Sequence, residues 1–218
     1  MLVKICGITQ VEQAIAIAQM GASALGYICV TRSPRYITPQ NIALIVSAVA
    51  QSAPDIEHFG VFANASLSKI LNTTKTAGLS VIQLHGDETP AACRLLRGAL
   101  EHANLAGVKL VKAIRVRTGE DLKIALSYEA FVDYLLLDAY HPDQLGGTGR
   151  TLDWHSIRDF LPSRPWFLAG GLNSDNVLDA IRQLSPNGID LSSGVERSPG
   201  DKDLSKVRQL FDRLESAS

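Results

Sequence analysis

The stretch Tyr134-Leu135-Leu136-Leu137-Asp138 is a continuous apolar run that ends on a carboxyl group. Such a run, without polar alternation, is typical of a parallel strand that is covered by helices. Three more runs end on small or reactive residues: Leu2-Val3-Lys4-Ile5 before Cys6-Gly7, Trp166-Phe167-Leu168-Ala169 before Gly170-Gly171, and Gly188-Ile189-Asp190-Leu191 before Ser192-Ser193-Gly194. Repeated strands with reactive carboxyl ends predict a closed parallel barrel whose site lies at the C-terminal rim.

The alternation of strand and helix patterns extends along the whole chain. Strands are predicted near residues 2–6, 24–30, 57–62, 80–84, 108–114, 133–138, 166–169 and 188–192. Helices are predicted at 10–20, 39–51, 67–77, 89–101, 119–128, 153–160, 174–184 and 203–215. Eight such units in 218 residues predict a (β/α)8 TIM barrel, an α/β fold that forms a single domain over residues 1–218. The competing open doubly wound sheet would need a glycine fingerprint after its first strand, which Cys6-Gly7-Ile8-Thr9 does not supply.

Composition and charge argue against a nucleic-acid-binding, membrane-spanning or secreted protein. The hydrophobic fraction of 46% supports a sizeable core, and the net charge of −1 gives no electrostatic signature of nucleic-acid or anionic-membrane binding. No apolar run approaches the roughly 18 residues of a membrane span, and the first residues do not resemble a secretory signal. Three cysteines without a C-x-x-C pair favour a reducing compartment, so we expect a cytoplasmic protein. The five histidines show no metal-binding spacing, and no metal is expected.

Two strand ends carry groups that can move protons. Cys6 follows the first strand, next to a glycine and before a predicted helix whose N-terminus is expected to lower the pKa of the thiol. Asp138 follows three leucines, and a carboxyl shielded by an apolar barrel retains its proton more readily, which suits a general acid. The other two cysteines, Cys29 and Cys93, are interpreted as structural. A thiol base and a carboxylic acid across one mouth are typical of isomerase or lyase chemistry.

The remaining strand ends predict binding groups. Glycine-rich ends on strands seven and eight, at Gly170-Gly171 and Ser192-Ser193-Gly194, match the recurring phosphate site of TIM barrels. Arg35, after a rigid proline at the rim, suits bidentate recognition of a carboxylate. His85 lies at the mouth and is either a ligand contact or a structural hydrogen-bonding group.

Two further features of the strand ends and loops are predicted. The inward Lys4 needs a partner, and Asp190 is the candidate. The glycine-rich stretch 140–150 is too long for an ordinary connection and lacks a P-loop motif, so a mobile lid is predicted there.

The ordered set of motifs resembles the phosphoribosylanthranilate isomerase family of tryptophan biosynthesis. The matching motifs are Lys4-Ile5-Cys6-Gly7-Ile8-Thr9, Ser33-Pro34-Arg35-Tyr36, Gln83-Leu84-His85-Gly86-Asp87-Glu88, Leu137-Asp138, Gly146-Gly147-Thr148-Gly149, Asp153-Trp154, Leu168-Ala169-Gly170-Gly171-Leu172 and Asp190-Leu191-Ser192-Ser193-Gly194-Val195-Glu196. They run in order from residue 3 to about residue 203.

The resemblance implies a cofactor-free Amadori rearrangement of a small phosphorylated substrate, in a monomer or a homodimer. Asp138 would protonate the ribose ring oxygen, and Cys6 would remove the C2′ proton. Arg35 would hold the anthranilate carboxylate. The phosphate and the rest of the substrate would be bound around His85, Gly170, Gly171, Asp190, Ser192, Ser193 and Gly194.

Two alternative functions are weighed against this one. The sister isomerase of histidine biosynthesis acts on a larger substrate with two phosphates, but it carries Asp instead of Cys on its first strand. A barrel that only binds a phosphorylated ligand would need neither Cys6 nor Asp138. Both residues are present, which favours an enzyme with the thiol as its base.

Overall fold

The computed structural model describes residues 1–139, 154–158 and 160–217. Eight parallel strands close into a barrel in chain order. They are β1 (Leu2–Cys6), β2 (Ala24–Ile28), β3 (Glu57–Phe62), β4 (Val81–Leu84), β5 (Lys109–Val116), β6 (Tyr134–Ala139), β7 (Trp166–Leu168) and β8 (Gly188–Leu191). The barrel closes where β8 pairs with β1, with Lys4 beside Asp190. The predicted fold and all eight predicted strands are confirmed.

Seven α-helices are described around the barrel. They are α1 (Val11–Gln19), α2 (Pro39–Ala50), α3 (Leu67–Ala77), α4 (Pro90–His102), α5 (Gly119–Leu126), α6 (Val177–Leu184) and α7 (Leu204–Glu215). Thr38, Ser66 and Thr89 cap α2, α3 and α4 by accepting backbone hydrogen bonds, and prolines begin α2 and α4. None of the described helices combines the length and the apolar character that a membrane span requires.

The predicted helix at 153–160 is wrong in its described part. Trp154–Ile157 form a short 3-10 helix instead. Pro162 and Pro165 lie between this turn and β7, and proline ends a helix because it lacks an N–H donor. The two prolines therefore prevent the turn from continuing into β7. The predicted lid at 140–150 lies outside the described residues.

A small hairpin after β8 does not appear among the predicted elements. A 3-10 helix over Ser193–Val195 leads into strands β9 (Glu196–Ser198) and β10 (Asp201–Lys202), which pair antiparallel. Gly200 makes the turn with a φ of 85°, in the left-handed region that favours glycine. The hairpin places two charged residues, Glu196 of β9 and Lys202 of β10, in buried positions beneath the loops at the barrel mouth.

Alternate strand residues point into the barrel and fill its middle. Ala24, Phe59, Val81, Val111, Ala113, Leu136, Phe167 and Ala169 form an apolar cluster that is separate from the core between sheet and helices. Phe59 and Phe167 meet edge to face with 6.0 Å between ring centroids. Because these side chains fill the middle of the barrel, the cavity lies above them, at the carboxyl ends of the strands.

Candidate active site

A cavity of about 490 Å³ opens at the C-terminal mouth of the barrel, measured over the described residues. Its lining includes every site residue predicted from the sequence: Cys6, Arg35, His85, Asp138, Gly170, Gly171, Asp190, Ser192, Ser193 and Gly194. The predicted site residues are therefore brought together by the fold. Each comes from a strand end or from the loop that follows it.

Cys6 is the last residue of β1 and is buried, with 6% of its surface exposed. It is accommodated by Gly26 on the neighbouring strand, because a Cβ atom at Gly26 would lie only 2.6 Å from the thiol Sγ. Burial raises the pKa of the Cys6 thiol, while the ammonium groups of Lys4 and Lys202 oppose the rise. The expectation that a following helix lowers this pKa is wrong. Helix α1 begins only at Val11, and burial outweighs the nearby charges.

Lys4 and Asp190 form the predicted ion pair below the thiol. Lys4 Nζ lies 2.8 Å from Asp190 Oδ2, and the lysine side chain is fully buried. Burial alone would lower the pKa of Lys4, but Asp190 and Cys6 raise it above its ordinary value, so the lysine keeps its charge. Asp190 Oδ1 is buried and has no hydrogen-bond partner within the described part of the chain. Asp190 is also one of the residues that line the cavity.

Asp138 is held at the other side of the mouth by a chain of hydrogen bonds. Asp138 Oδ2 lies 3.2 Å from His85 Nε2, and His85 Nδ1 lies 3.2 Å from Gln83 Nε2. With the Gln83 amide donating to Nδ1, the imidazole hydrogen is on Nε2 and is donated to Asp138. His85 is thus a hydrogen-bonding group that orients the carboxyl group, and it also lines the cavity.

Arg35 reaches the cavity across the loop after β1. Gly7 permits this path, because its φ is +83° and a Cβ atom there would lie 2.8 Å from Arg35 Cδ. The guanidinium makes a two-point ion pair with Glu196, with Nε–Oε1 at 3.0 Å and Nη2–Oε2 at 2.7 Å. Glu196 therefore fixes the direction in which Arg35 points.

The glycine-rich ends of β7 and β8 form one continuous wall. Gly170 and Gly171 have φ angles of 93° and 68°. A Cβ atom at Gly194 would lie 2.0 Å from the carbonyl oxygen of Leu172, so the two loops can touch only if glycine occupies this position. Asn176 Nδ2 donates to the Gly171 carbonyl at 3.0 Å and holds the first loop in place. Backbone this open allows N–H groups to approach an anion closely.

Four residues of the site are not among those predicted for it from the sequence. Gln83 could have been found by strand alternation, because it points inward two residues before His85. Glu196 and Lys202 are charged residues in a polar segment, and their pattern is that of a solvated loop. Both are buried, with 6% and 0% of their surface exposed. Arg115, at the end of β5, also lines the cavity and donates to the His85 carbonyl at 3.1 Å.

The barrel and its mouth together define a class of protein. Two groups able to exchange protons share one cavity with an arginine and an open glycine wall, which suits a small anionic molecule. This is a (β/α)8-barrel enzyme with its site at the C-terminal rim.

Comparisons with known proteins identify the family within that class. Residues 3–213 match the family model of N-(5′-phosphoribosyl)anthranilate isomerase. The N-(5′-phosphoribosyl)anthranilate isomerase of Nostoc punctiforme is 56% identical over 216 residues, which are 99% of each chain. The crystal structure of phosphoribosyl anthranilate isomerase from Thermotoga maritima superposes with a TM-score of 0.86 at 35% identity, covering 99% of this chain and 98% of that one. The chain belongs to the phosphoribosylanthranilate isomerase family, the aldose–ketose isomerases of tryptophan biosynthesis.

A further solved structure shows what this fold binds in another protein. It is a phosphoribosyl anthranilate isomerase in complex with reduced 1-(o-carboxyphenylamino)-1-deoxyribulose 5-phosphate, with a TM-score of 0.82 and 33% identity. The match covers 99% of this chain and 98% of that chain.

Proposed function

We propose that this chain converts N-(5′-phosphoribosyl)anthranilate into 1-(2-carboxyphenylamino)-1-deoxyribulose 5-phosphate, with Asp138 as general acid and Cys6 as general base. The observation that carries the proposal is that Cys6 and Asp138 line one cavity together with Arg35 and the glycine-rich wall. The substrate has a carboxylate at one end and a phosphate at the other. A reacting ribose between two such anchors lies between the thiol and the carboxyl group.

The first step opens the ribose ring. Asp138 donates its proton to the ring oxygen, the C1′–O bond breaks, and the anilino nitrogen supplies the electron pair that forms a protonated Schiff base. The hydrogen bond from His85 Nε2 occupies Asp138 Oδ2, and the proposal assigns the proton transfer to the other carboxyl oxygen. The carboxylate that remains is close to the positive charge that develops on the nitrogen.

The second step removes the C2′ proton. The Cys6 thiolate takes this proton, the C2′–H electron pair forms the enolamine double bond, and the iminium nitrogen is neutralised. The enolamine then tautomerises to the ketone. Burial disfavours the thiolate, and the ammonium groups of Lys4 and Lys202 oppose that effect. The base therefore depends on positive charge that the protein supplies.

Binding is assigned to the groups around the reacting carbons. Arg35 holds the anthranilate carboxylate, and backbone N–H groups near Gly170, Gly171, Ser193 and Gly194 hold the phosphate. Asp190, which lines the same cavity, is assigned to the ribose. Ser192 and His85 line the same cavity and are assigned to the rest of the substrate.

Fluorescence of freshly prepared phosphoribosylanthranilate tests the function directly. The purified protein should accelerate the fluorescence decay, and the product should be the carboxyphenylamino ketose. The matched control is Asp138→Asn, which keeps the shape of the side chain but carries no transferable proton. The two-phosphate aldose of the histidine pathway should not turn over. Turnover of that substrate alone would contradict this proposal and indicate the isomerase of histidine biosynthesis. Tight product binding without turnover would indicate a binding protein.

Three further properties are proposed with the function. The reaction needs no cofactor or metal, the chain is a monomer or a homodimer, and it resides in the cytoplasm. Activity after exhaustive dialysis against EDTA, the mass in solution by light scattering, and cell fractionation test these points separately.

A further inference from the structure

Lys202 is a fully buried lysine just behind the site, and its ammonium group contacts three separate parts of the chain. Lys202 Nζ lies 2.5 Å from the carbonyl oxygen of Cys6, 3.3 Å from that of Ser192 and 2.8 Å from Glu196 Oε1. The three acceptors lie at the end of β1, at the end of β8 and at the start of the hairpin. One cation thus joins the backbone of the proposed base to the loop beside the glycine wall.

Glu196 extends the contact from Lys202 to Arg35. Its carboxylate accepts from Lys202 Nζ, from the backbone N–H of Gly200 at 3.1 Å, and from Nε and Nη2 of Arg35. Burial alone would raise the pKa of Glu196, but the hydrogen bonds from Arg35 and the charge of Lys202 lower it, so the carboxylate stays ionised. Burial lowers the pKa of Lys202, and the carboxylate of Glu196 opposes that fall.

The geometry of the Arg35–Glu196 contact determines which edge of the guanidinium faces the substrate. A guanidinium can bind a carboxylate through its Nε–Nη2 edge or through its Nη1–Nη2 edge. Glu196 occupies the Nε–Nη2 edge. The Nη1–Nη2 edge is then the one available to a carboxylate in the cavity that Arg35 lines.

We propose that Glu196 and Lys202 are a positioning pair that fixes Arg35 relative to Cys6, so that the carboxylate-binding edge and the base keep a constant separation. This inference rests on the proposed function, because it assumes that Arg35 binds the substrate carboxylate. Neither member of the pair needs to touch the substrate. Their effect is exerted through the direction of Arg35 and through the backbone carbonyl group of Cys6.

Stability alone does not account for this pair. A buried ion pair is often no more stabilising than apolar side chains of the same volume, because both charges lose their hydration. Here the ammonium group donates to acceptors at the end of β1, after β8 and on the hairpin, and the carboxylate accepts from both Nε and Nη2 of Arg35, a residue of the cavity wall. An arrangement of this kind suits the placement of Arg35 better than the support of a core.

A double-mutant cycle tests whether Glu196 acts through Arg35. Glu196→Gln removes the charge and should raise KM for phosphoribosylanthranilate about tenfold while kcat changes less than about threefold, because a misdirected guanidinium loses ground-state and transition-state binding alike. Arg35→Met should raise KM at least as much. In the Arg35→Met background, Glu196→Gln should change KM by less than about twofold. Lys202→Met should reproduce the rise in KM, and it should not add to that of Glu196→Gln.

The matched control is Glu57→Gln at the opposite end of the barrel. Glu57 pairs with Lys109, so the same substitution breaks an ion pair far from the cavity, and KM and kcat should stay unchanged. Equal effects of Glu196→Gln in the presence and absence of Arg35 would overturn the positioning role. If Lys202→Met does not fold, the cycle of Glu196 and Arg35 still decides the question. An unchanged KM in Arg35→Met would contradict the proposed function of Arg35, which is a different result from additivity in the cycle.

Discussion

Cys6 and Asp138 share one cavity but have opposite surroundings. Cys6 is enclosed, and the charges that act on its pKa include the ammonium groups of Lys4 and Lys202. Asp138 is 9% exposed at its side chain and is bonded to the imidazole of His85, which Gln83 holds in turn. Burial raises the pKa of the thiol and the two ammonium groups limit that rise, whereas the carboxyl group is oriented by hydrogen bonds. In the proposed mechanism, the base thus depends on nearby positive charge and the acid on its orientation.

The largest effect is expected from Asp138→Asn. The amide keeps the shape and the hydrogen bond to His85, but it cannot protonate the ring oxygen. Turnover should fall by about 10²- to 10⁴-fold, the range that a general acid contributes. Steady-state kinetics with the fluorescent substrate measures the loss, and titration with the reduced product checks that binding is retained. A kcat within a few-fold of the original protein would remove Asp138 from the mechanism.

Cys6→Ser is expected to be nearly as damaging but at a later step. A serine hydroxyl has a far higher pKa than a thiol, so the base is lost while the volume hardly changes. We expect kcat to fall by at least about 10²-fold. Ring opening does not need the thiol, so deuterium at C2′ should give at least as large an isotope effect on the residual turnover as in the unmodified protein. Full activity would mean that Cys6 is a packing residue and that the base is another group.

The fold could be predicted from the sequence because its signal is repeated. Four apolar runs end on a glycine or a reactive side chain, and together with eight alternating strand and helix patterns they favour a closed barrel over an open sheet. The α-helix predicted at 153–160 is wrong because, over so short a segment, hydrophobic spacing does not distinguish an α-helix from the 3-10 turn observed at Trp154–Ile157. The β9–β10 hairpin is short and polar, so hydrophobic periodicity contains no information about it.

The site was predictable where function coincides with a strand end. Cys6 and Asp138 are recognisable from the run before each of them, but the pKa of Cys6 is not, because burial is a property of the assembled barrel. The Lys4–Asp190 pair followed from one inward lysine that needs a partner. Glu196 is different, because its partner Arg35 is 161 residues away in the chain and no local pattern links the two.

Lys4→Met tests, through the pH dependence of the reaction, whether the charge of Lys4 acts on Cys6. The thiolate is the active form of the base, so kcat/KM should rise with pH until Cys6 is ionised. The charge of Lys4 lowers the pKa of the thiol, so its removal should raise that pKa further. We expect the ascending limb of the pH profile to move upward by about one pH unit and activity at neutral pH to fall about tenfold. Lys109→Met removes the lysine of an ion pair at the other end of the barrel and is the matched control. An unmoved limb would mean that Lys4 does not act on the base.

The smallest effect is expected from His85, the group that orients the acid. His85→Asn is too short to reach Asp138, and it removes one hydrogen bond of about 0.5–1.5 kcal/mol, which corresponds to a loss of about two- to tenfold in kcat. His85→Gln places an amide N–H near the position of Nε2 and should restore most of the rate. Steady-state kinetics of the two variants, with KM recorded as well, separates orientation from substrate binding. A fall in kcat as large as that of Asp138→Asn, without rescue by Gln, would make the imidazole the proton donor and reverse the roles on that side of the cavity.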